Sequence, residues 1–489
     1  MGPSKKSAKA TQGRGGSKNE PKKRTTTQGK HRPQDADSAG NQINISATIP
    51  LTLQQLLLNV FKAALLTHRV PSSSSRSIEN GDEGHAGAVA QAPEAAAEQP
   101  QQPPQLDIKG LIQTIKSHLY NRDFDSAFTD ADEELLRAYA LRWSSSRALG
   151  YAGIFRALLA VLLKRKGQGG GDEAEAEEGV SGHVVCIGGG AGAEIVALAA
   201  AWRDWMDAVA GGEQEDPRTL AAIVGDLSLH ETNEPEATAR EEASTPNALS
   251  RVMKRHRLSV TAIDIADWSR IVDRLVSTIR SPAVAGSDAH PAPLYRDAGL
   301  SMSPDAQPDT SAPASSSFQV GFQKLDILSA SEEELRRLVH PPREQDTRTP
   351  VLVTLMFTLN ELFSTSMAKA TGFLLRLTDL LRPGAVLLVV DSPGSYSTLK
   401  LGKNSGGSGG DGEEGEESTR SSTSDRQYPM KFLLDHALLS VAAGKWERLF
   451  SQDSRWWRRD AARLRYGVGD AAGLEDMRFQ VHIYRRSAD

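Results

Sequence analysis

Two short stretches hold the polar residues whose types and spacing could do chemistry. In HVVCIGGGAGAE (183–194), an apolar run ends in glycines and opens a helical pattern at Glu194. Glycines permit positive φ and let a ligand approach where a Cβ would block it. A helix start there offers free N–H groups to an anionic group. In TLMFTLNELFS (354–364), a second apolar run ends in Asn360 and Glu361. An amide and a carboxylate at a strand tip could orient an acceptor and take up a proton. The plainer role for the same pair is to cap and open the following helix.

The glycines fit two cofactor classes. Gly188, Gly190 and Ala193 satisfy GxGxxA, the dinucleotide fingerprint, while Gly188, Gly190 and Gly192 equally satisfy the GxGxG of S-adenosylmethionine sites. Asp264, at the end of SVTAID (259–264), could bridge ribose hydroxyls for either, and Asp226 in AAIVGDLSLH is a rival for that role. Asp264 is preferred because its strand leads directly into DWSRIVDRLV. Asp326 in FQKLDIL could accept from an adenine amino group, which favours S-adenosylmethionine. So does the close of the chain, where WERLFSQDS (446–454) and MRFQVHIYRR (477–486) suggest an antiparallel hairpin rather than a final parallel strand.

The elements that must position these residues alternate. Apolar or β-branched runs at 183–187, 259–264, 318–326, 350–358 and 385–391 are separated by helical patterns at 194–209, 267–279, 332–339 and 366–381. That succession predicts an α/β, Rossmann-like class I methyltransferase fold, with a mostly parallel seven-stranded sheet and a C-terminal antiparallel hairpin. An N-terminal helical extension precedes it. Leu53, Leu57, Phe61 and Leu65 mark one helix face within 46–70, and helical period recurs over 106–165. The methyltransferase domain itself is expected over 183–489.

Composition identifies the remainder. Residues 1–45 form a basic tail, with ten Lys/Arg against the single acid Glu20 over 1–34, although the whole chain carries −5. Residues 71–105, 166–181, 230–248, 281–316 and 403–426 are too poor in apolar residues to repay ordering and are expected to be disordered linkers or insertions. One cysteine, Cys186, excludes an internal disulfide framework and fits a reducing compartment. The apolar run 49–66 is broken by Gln54, Gln55, Asn59 and Lys62, so no membrane span is expected. No Cys/His cluster suggests a metal site.

The ordered series RWSSSRALGYAGIF (142–155), VVCIGGGAGAE (184–194), DIADWS (264–269), LVTLMFTLNELFS (352–364), VVDSPGSYS (389–397) and DSRWWRR (453–459) resembles the fungal ribosomal RNA uridine-N3 methyltransferases acting on 25S large-subunit RNA. The resemblance covers about 106–489 outside the low-complexity insertions. Asp391 stands where that family often carries Glu. The resemblance implies S-adenosylmethionine as cofactor, 25S RNA or a pre-60S particle as partner, and a nuclear or nucleolar place, with the cytoplasm also open. It assigns Glu361 to the imide proton and Asn360 to the uracil edge. Arg147, on the helix before the first strand, would reach the methionine carboxylate, unless it pairs with Glu133 or Glu134. Tyr396 in a flexible loop, with Arg455, Trp456, Trp457 and Arg458, would supply stacking and phosphate contacts, the tryptophans having a core role as the alternative. Methylation of protein or a small molecule, and a non-catalytic assembly role, are the competing readings.

Overall fold

The computed structural model describes residues 43–66, 106–121, 123–163, 181–210, 256–295, 317–340, 349–394, 396–399 and 426–488. Ten α-helices among them are α1 (Leu51–Leu66), α2 (Ile108–Tyr120), α3 (Glu133–Tyr139), α4 (Ser145–Leu162), α5 (Ala193–Ala210), α6 (Ser269–Ile279), α7 (Glu332–Val339), α8 (Leu359–Thr365), α9 (Met367–Leu380) and α10 (Met430–Asp435). The strands are β1 (Ser181–Ile187), β2 (Arg257–Asp264), β3 (Phe318–Lys324), β4 (Val351–Met356), β5 (Val386–Asp391), β6 (Tyr396–Leu399), β7 (Arg426–Pro429), β8 (Trp446–Trp457) and β9 (Met477–Arg486).

Seven strands form one sheet in the order β3-β2-β1-β4-β5-β9-β8. The first five are parallel, and β9 runs antiparallel between β5 and β8. Strand order reverses between β1 and β4, so the crevice for a ligand lies beyond their C-terminal ends. β1, β4 and β5 read as continuous apolar runs because both faces are covered. Alternate residues feed two layers. Val184 and Cys186 join the core formed with α1, α4, α5 and α6, whereas Val185 and Ile187 join the one formed with α7 to α10.

The N-terminal helix is part of that first layer rather than an extension beside it. Leu53, Leu56, Leu57, Leu58, Val60, Phe61, Ala64 and Leu65 are all buried. The approach to α1 crosses α4 at Gly153, where a Cβ would lie 2.1 Å from the Ala47 carbonyl oxygen. Ile43 and Ile45, expected in the unstructured tail, are buried here.

A second correction concerns 281–316. Its first part, 281–295, is held by a 2.6 Å bond between Thr52 Oγ1 and His290 Nδ1 and by Arg203 donating to the Pro291 and Pro293 carbonyls. Leu294 and Tyr295 fill the core, two anchors that the segment's Pro, Ala and Ser content conceals. Residues 71–105, 166–180, 230–248 and 403–425 lie outside the described residues. The helical pattern at 133–164 is interrupted by a π-helical turn at 140–144. Tyr396, expected in a flexible loop, has its backbone in β6 opposite Pro429.

Candidate functional site

The glycine loop draws three strand tips together. Gly188 has φ 77° and donates its N–H to the Ile263 carbonyl at 2.8 Å. A Cβ there would sit 2.1 Å from Thr358 Oγ1, beyond β4. At Gly190 it would meet the Trp268 ring at 2.2 Å, and at Gly192 (φ 81°) the Leu275 side chain at 2.1 Å. The first requirement these glycines meet is therefore close protein packing, which a reading of the loop as a bare ligand cradle does not include. Its result is to set the N-terminus of α5 beside Asp264.

Asp264 holds the loop directly. Its Oδ2 accepts the Gly190 N–H and its Oδ1 the Ala266 N–H, both at 3.2 Å. Burial raises its carboxyl to about 6 against those two N–H groups. The rival Asp226 lies outside the described residues. Asp326 sits two residues past β3, and both of its oxygens serve its own turn, accepting from Leu328 N–H at 3.0 Å and Ser329 Oγ at 2.6 Å. Ile265, next to Asp264, is an apolar side chain left 51% exposed at this edge, a feature the sequence reading passed over.

Arg147 does not pair with Glu133, which binds Arg270 and Arg274 instead. Its guanidinium donates to Tyr139 Oη at 3.0 Å and lies 4.7 Å from the centre of the Phe357 ring. Burial alone would lower it, but Tyr139, Tyr151 and Glu361 outweigh that and hold it above its ordinary value. Phe357 is the one non-glycine residue with positive φ among the described residues, at 59°. Such a conformation costs a bulky residue about 1–3 kcal/mol and is kept only where surroundings impose it. Here the Phe357 N–H is held by the Val390 carbonyl at 2.6 Å.

Asn360 and Glu361 open α8 just beyond. Asn360 is not the cap of this helix. Thr358 holds the cap position without a side-chain bond, and the Asn360 N–H is taken by Asp391 Oδ2 from the end of β5 at 3.0 Å. The Asn360 side-chain Oδ1 is buried and has no partner among the described residues. Glu361 is exposed to solvent, although protein atoms crowd around its carboxyl. Crowding by protein raises its carboxyl to about 7; Arg147 pulls it down, while Asp391 and Asp264 push it up. Burial likewise brings Asp391 to about 6 and Glu194 to about 8.

The recess thus gathers Glu194, Asp264, Glu361 and Asp391 around the half-buried Arg147. Two further buried polar atoms, Glu194 Oε1 and Tyr151 Oη, have no partner among the described residues. Unsatisfied buried groups are costly, so a ligand that supplied partners to these atoms would be favoured here. A ligand with one carboxylate and net positive charge matches this set, and S-adenosylmethionine has that charge pattern. Tyr139 and Tyr151 were legible only in part. Tyr151 shares a face with Arg147 four residues away, but the π turn at 140–144 shifts Tyr139 out of simple helical register.

The expected RNA contacts separate. Trp457 is half-buried against the core, while Trp456 is 52% exposed with the Arg458 and Arg478 guanidinia 4.9 and 5.9 Å from its ring. Arg458 also meets Asp476 at 3.0 Å. Arg455 turns to Gln452 and Ser46. The side chain of Tyr396 lies outside the described residues. Among the described residues no group of His, Cys, Asp and Glu could hold a metal ion, and no helix is long and apolar enough to cross a membrane.

The chain is similar to several known proteins. A 25S rRNA (uridine(2843)-N(3))-methyltransferase of Saccharomyces cerevisiae is 29% identical over 381 residues, covering 76% of each chain. Among solved structures, an S-adenosylmethionine-dependent methyltransferase of Methanosarcina mazei aligns over 65% of this chain and 97% of its own, at 10% identity and TM-score 0.24. A 16S rRNA (adenine(1408)-N(1))-methyltransferase mutant from Catenulisporales acidiphilia aligns over 66% and 95%, at 12% identity and TM-score 0.24. The family described as "Putative SAM-dependent methyltransferase" matches residues 93–485, and the chain belongs to that family of S-adenosylmethionine-dependent methyltransferases.

Proposed function

We propose that this enzyme methylates N3 of a uridine in large-subunit (25S) ribosomal RNA, as free RNA or within a pre-60S particle, in the nucleus or nucleolus. The observation that carries the reading is the pair Asn360 and Glu361. A buried, unpartnered amide oxygen and a carboxyl raised to about 7 belong to consecutive residues at the start of α8, next to the acidic recess. Similarity to the yeast uridine-N3 enzyme supports the same acceptor.

When bound, S-adenosylmethionine supplies an electrophilic methyl group on a sulfonium. Arg147 would bind its carboxylate, Glu194 its ammonium and Asp264 its ribose, and the acidic recess suits the net positive charge. Asp326, tied into its own turn, has a lesser claim on the adenine. On the acceptor side, Glu361 removes the weakly acidic N3 proton while Asn360 orients the imide edge. A base with its proton acceptor near neutrality transfers a proton efficiently at cellular pH. Because N3 lies on the pairing edge, the uridine must be unpaired or extruded. The β8–β9 ladder continues past the last β5 pair, Asp391 with Gln480, to Trp457 and Met477, carrying exposed Trp456 with Arg458 and Arg478 to the rim of the crevice. Trp456 would stack a base there and the arginines meet phosphate. Tyr396 remains a candidate from β6, whereas Trp457 and Arg455 have mainly structural claims.

The test is mass spectrometry of nucleosides from 25S RNA of cells with and without the protein. The reading expects a loss of about one N3-methyluridine per RNA. An unchanged amount would overturn it.

A further inference from the structure

Phe357 is assigned no task by the reaction described so far, yet its backbone is held in a conformation that a phenylalanine disfavours. It directly follows β4 at the reversal of strand order, with φ 59° and its N–H fixed to the Val390 carbonyl. A glycine or asparagine would satisfy that backbone more easily. The ring is half-buried, packed in part against the core, and filling the core accounts for only part of its surface. One side of the ring carries the Arg147 guanidinium at 4.7 Å, and Asn360 and Glu361 follow within four residues. A rigid aromatic plane therefore stands just past the end of β4, against the cation assigned to the cofactor and three residues before the polar pair assigned to the acceptor.

We infer that Phe357 is the aromatic surface against which the planar acceptor base is held while Asn360 and Glu361 meet its imide edge. The inference rests on the proposed nucleobase acceptor. Its physical content is that stacking restricts a flat base to one plane, leaving its edge to be fixed by hydrogen bonds. Arg147 beneath the ring fixes its tilt through a cation–π contact, so the positive φ and the cation act together.

Phe357→Asn removes the ring with a residue that tolerates the backbone, and Phe357→Tyr keeps the ring. Purified full-length proteins are given S-adenosylmethionine with two acceptors from cells lacking the protein, large-subunit particles (pre-60S and mature) and the RNA extracted from them. Methyl transfer to uridine N3 gives kcat and the acceptor KM, and calorimetry with S-adenosylhomocysteine reports cofactor binding. The expected result is kcat/KM for the acceptor reduced about tenfold or more in Phe357→Asn, restored in Phe357→Tyr, with cofactor affinity within about twofold of wild type. Unchanged kcat/KM in Phe357→Asn would overturn the inference. A loss confined to cofactor affinity would do so too, since Phe357 would then be only a seat for Arg147. If Phe357→Asn does not fold, Phe357→Gly replaces it under the same criteria. Wild-type protein inactive on both acceptors would remove the uridine reading and this inference together.

Discussion

Asp391 Oδ2 accepts the Asn360 N–H at 3.0 Å, so the end of β5 fixes the first turn of the helix carrying both proposed acceptor-facing groups. This bond replaces a conventional cap, because Thr358 offers none. It also sets a negative charge near Glu361 that helps raise its carboxyl to about 7.

Replacing Asp391 separates the two effects. Asp391→Asn keeps an oxygen that can accept from Asn360 but removes the charge, so the acid limb of the rate profile, the rise with pH set by Glu361, is expected to move below pH 7. Asp391→Ala also loses the bond, at a cost of about 1 kcal/mol for an uncapped helix start. Rate–pH profiles with thermal melts check both. An unmoved limb in Asp391→Asn would mean that the limb belongs to another group.

Glu361→Gln is expected to lower kcat by about 10²–10⁴, the usual range for a lost general base. In the wild type, the rate rises with pH through about 7 as the carboxyl ionises. The variant is expected to lose that rise while binding S-adenosylhomocysteine normally. A retained rise would exclude Glu361 as the base.

Glu194 predicts a proton signature for cofactor binding. Burial raises its carboxyl from the ordinary 4.5 to about 8, so at pH 7 the folded protein keeps a proton that the unfolded chain releases. Stability from this group therefore falls as pH rises from 4.5 through 8 and is fully lost above 8. Glu194→Gln is expected to flatten that fall. Asp264, Asp391 and Glu361, shifted in the same direction, preserve part of it. A positively charged ligand favours the ionised form, so binding at pH 7 releases a proton. Calorimetry in buffers of different ionisation enthalpy measures the release, which Glu194→Gln is expected to reduce.

Much of this site could be read from the chain because its signals are local. The strands of a sheet covered on both faces are apolar runs, and Asn360 and Glu361 end one of them. What escaped depends on distant partners. Asp391 meets Asn360 across 31 positions, and nothing local in either marks the other. Period-two alternation says that Trp456 and Trp457 face opposite ways, but the irregular register between Gln452 and Arg455 decides which is outside. The left-handed backbone of Phe357 was hidden because its residue type argues against it. Leu294 and Tyr295 were lost in a segment whose average composition outweighed two buried anchors.

Three helical glycines give a graded test of the packing that carries α1 and the approach to it. Gly372 in α9 has open space where a Cβ would go, so Gly372→Ala is expected to stabilise by about 1 kcal/mol through helix propensity alone. At Gly150 the obstacle, 2.4 Å away, is Met477 Cε, the end of a flexible side chain, so Gly150→Ala is expected to change stability by less than about 1 kcal/mol. At Gly153 the obstacle is the Ala47 carbonyl oxygen at 2.1 Å, part of a backbone whose neighbours Ile43, Ile45 and Ile49 are buried. That backbone cannot move without exposing those side chains, and overpacking costs about 1–3 kcal/mol even after adjustment. Gly153→Ala is therefore expected to be the one clearly destabilising change of the three, with a melting temperature lowered by several degrees. Equal melting of Gly153→Ala and Gly150→Ala would mean that the 43–48 segment is not anchored on α4.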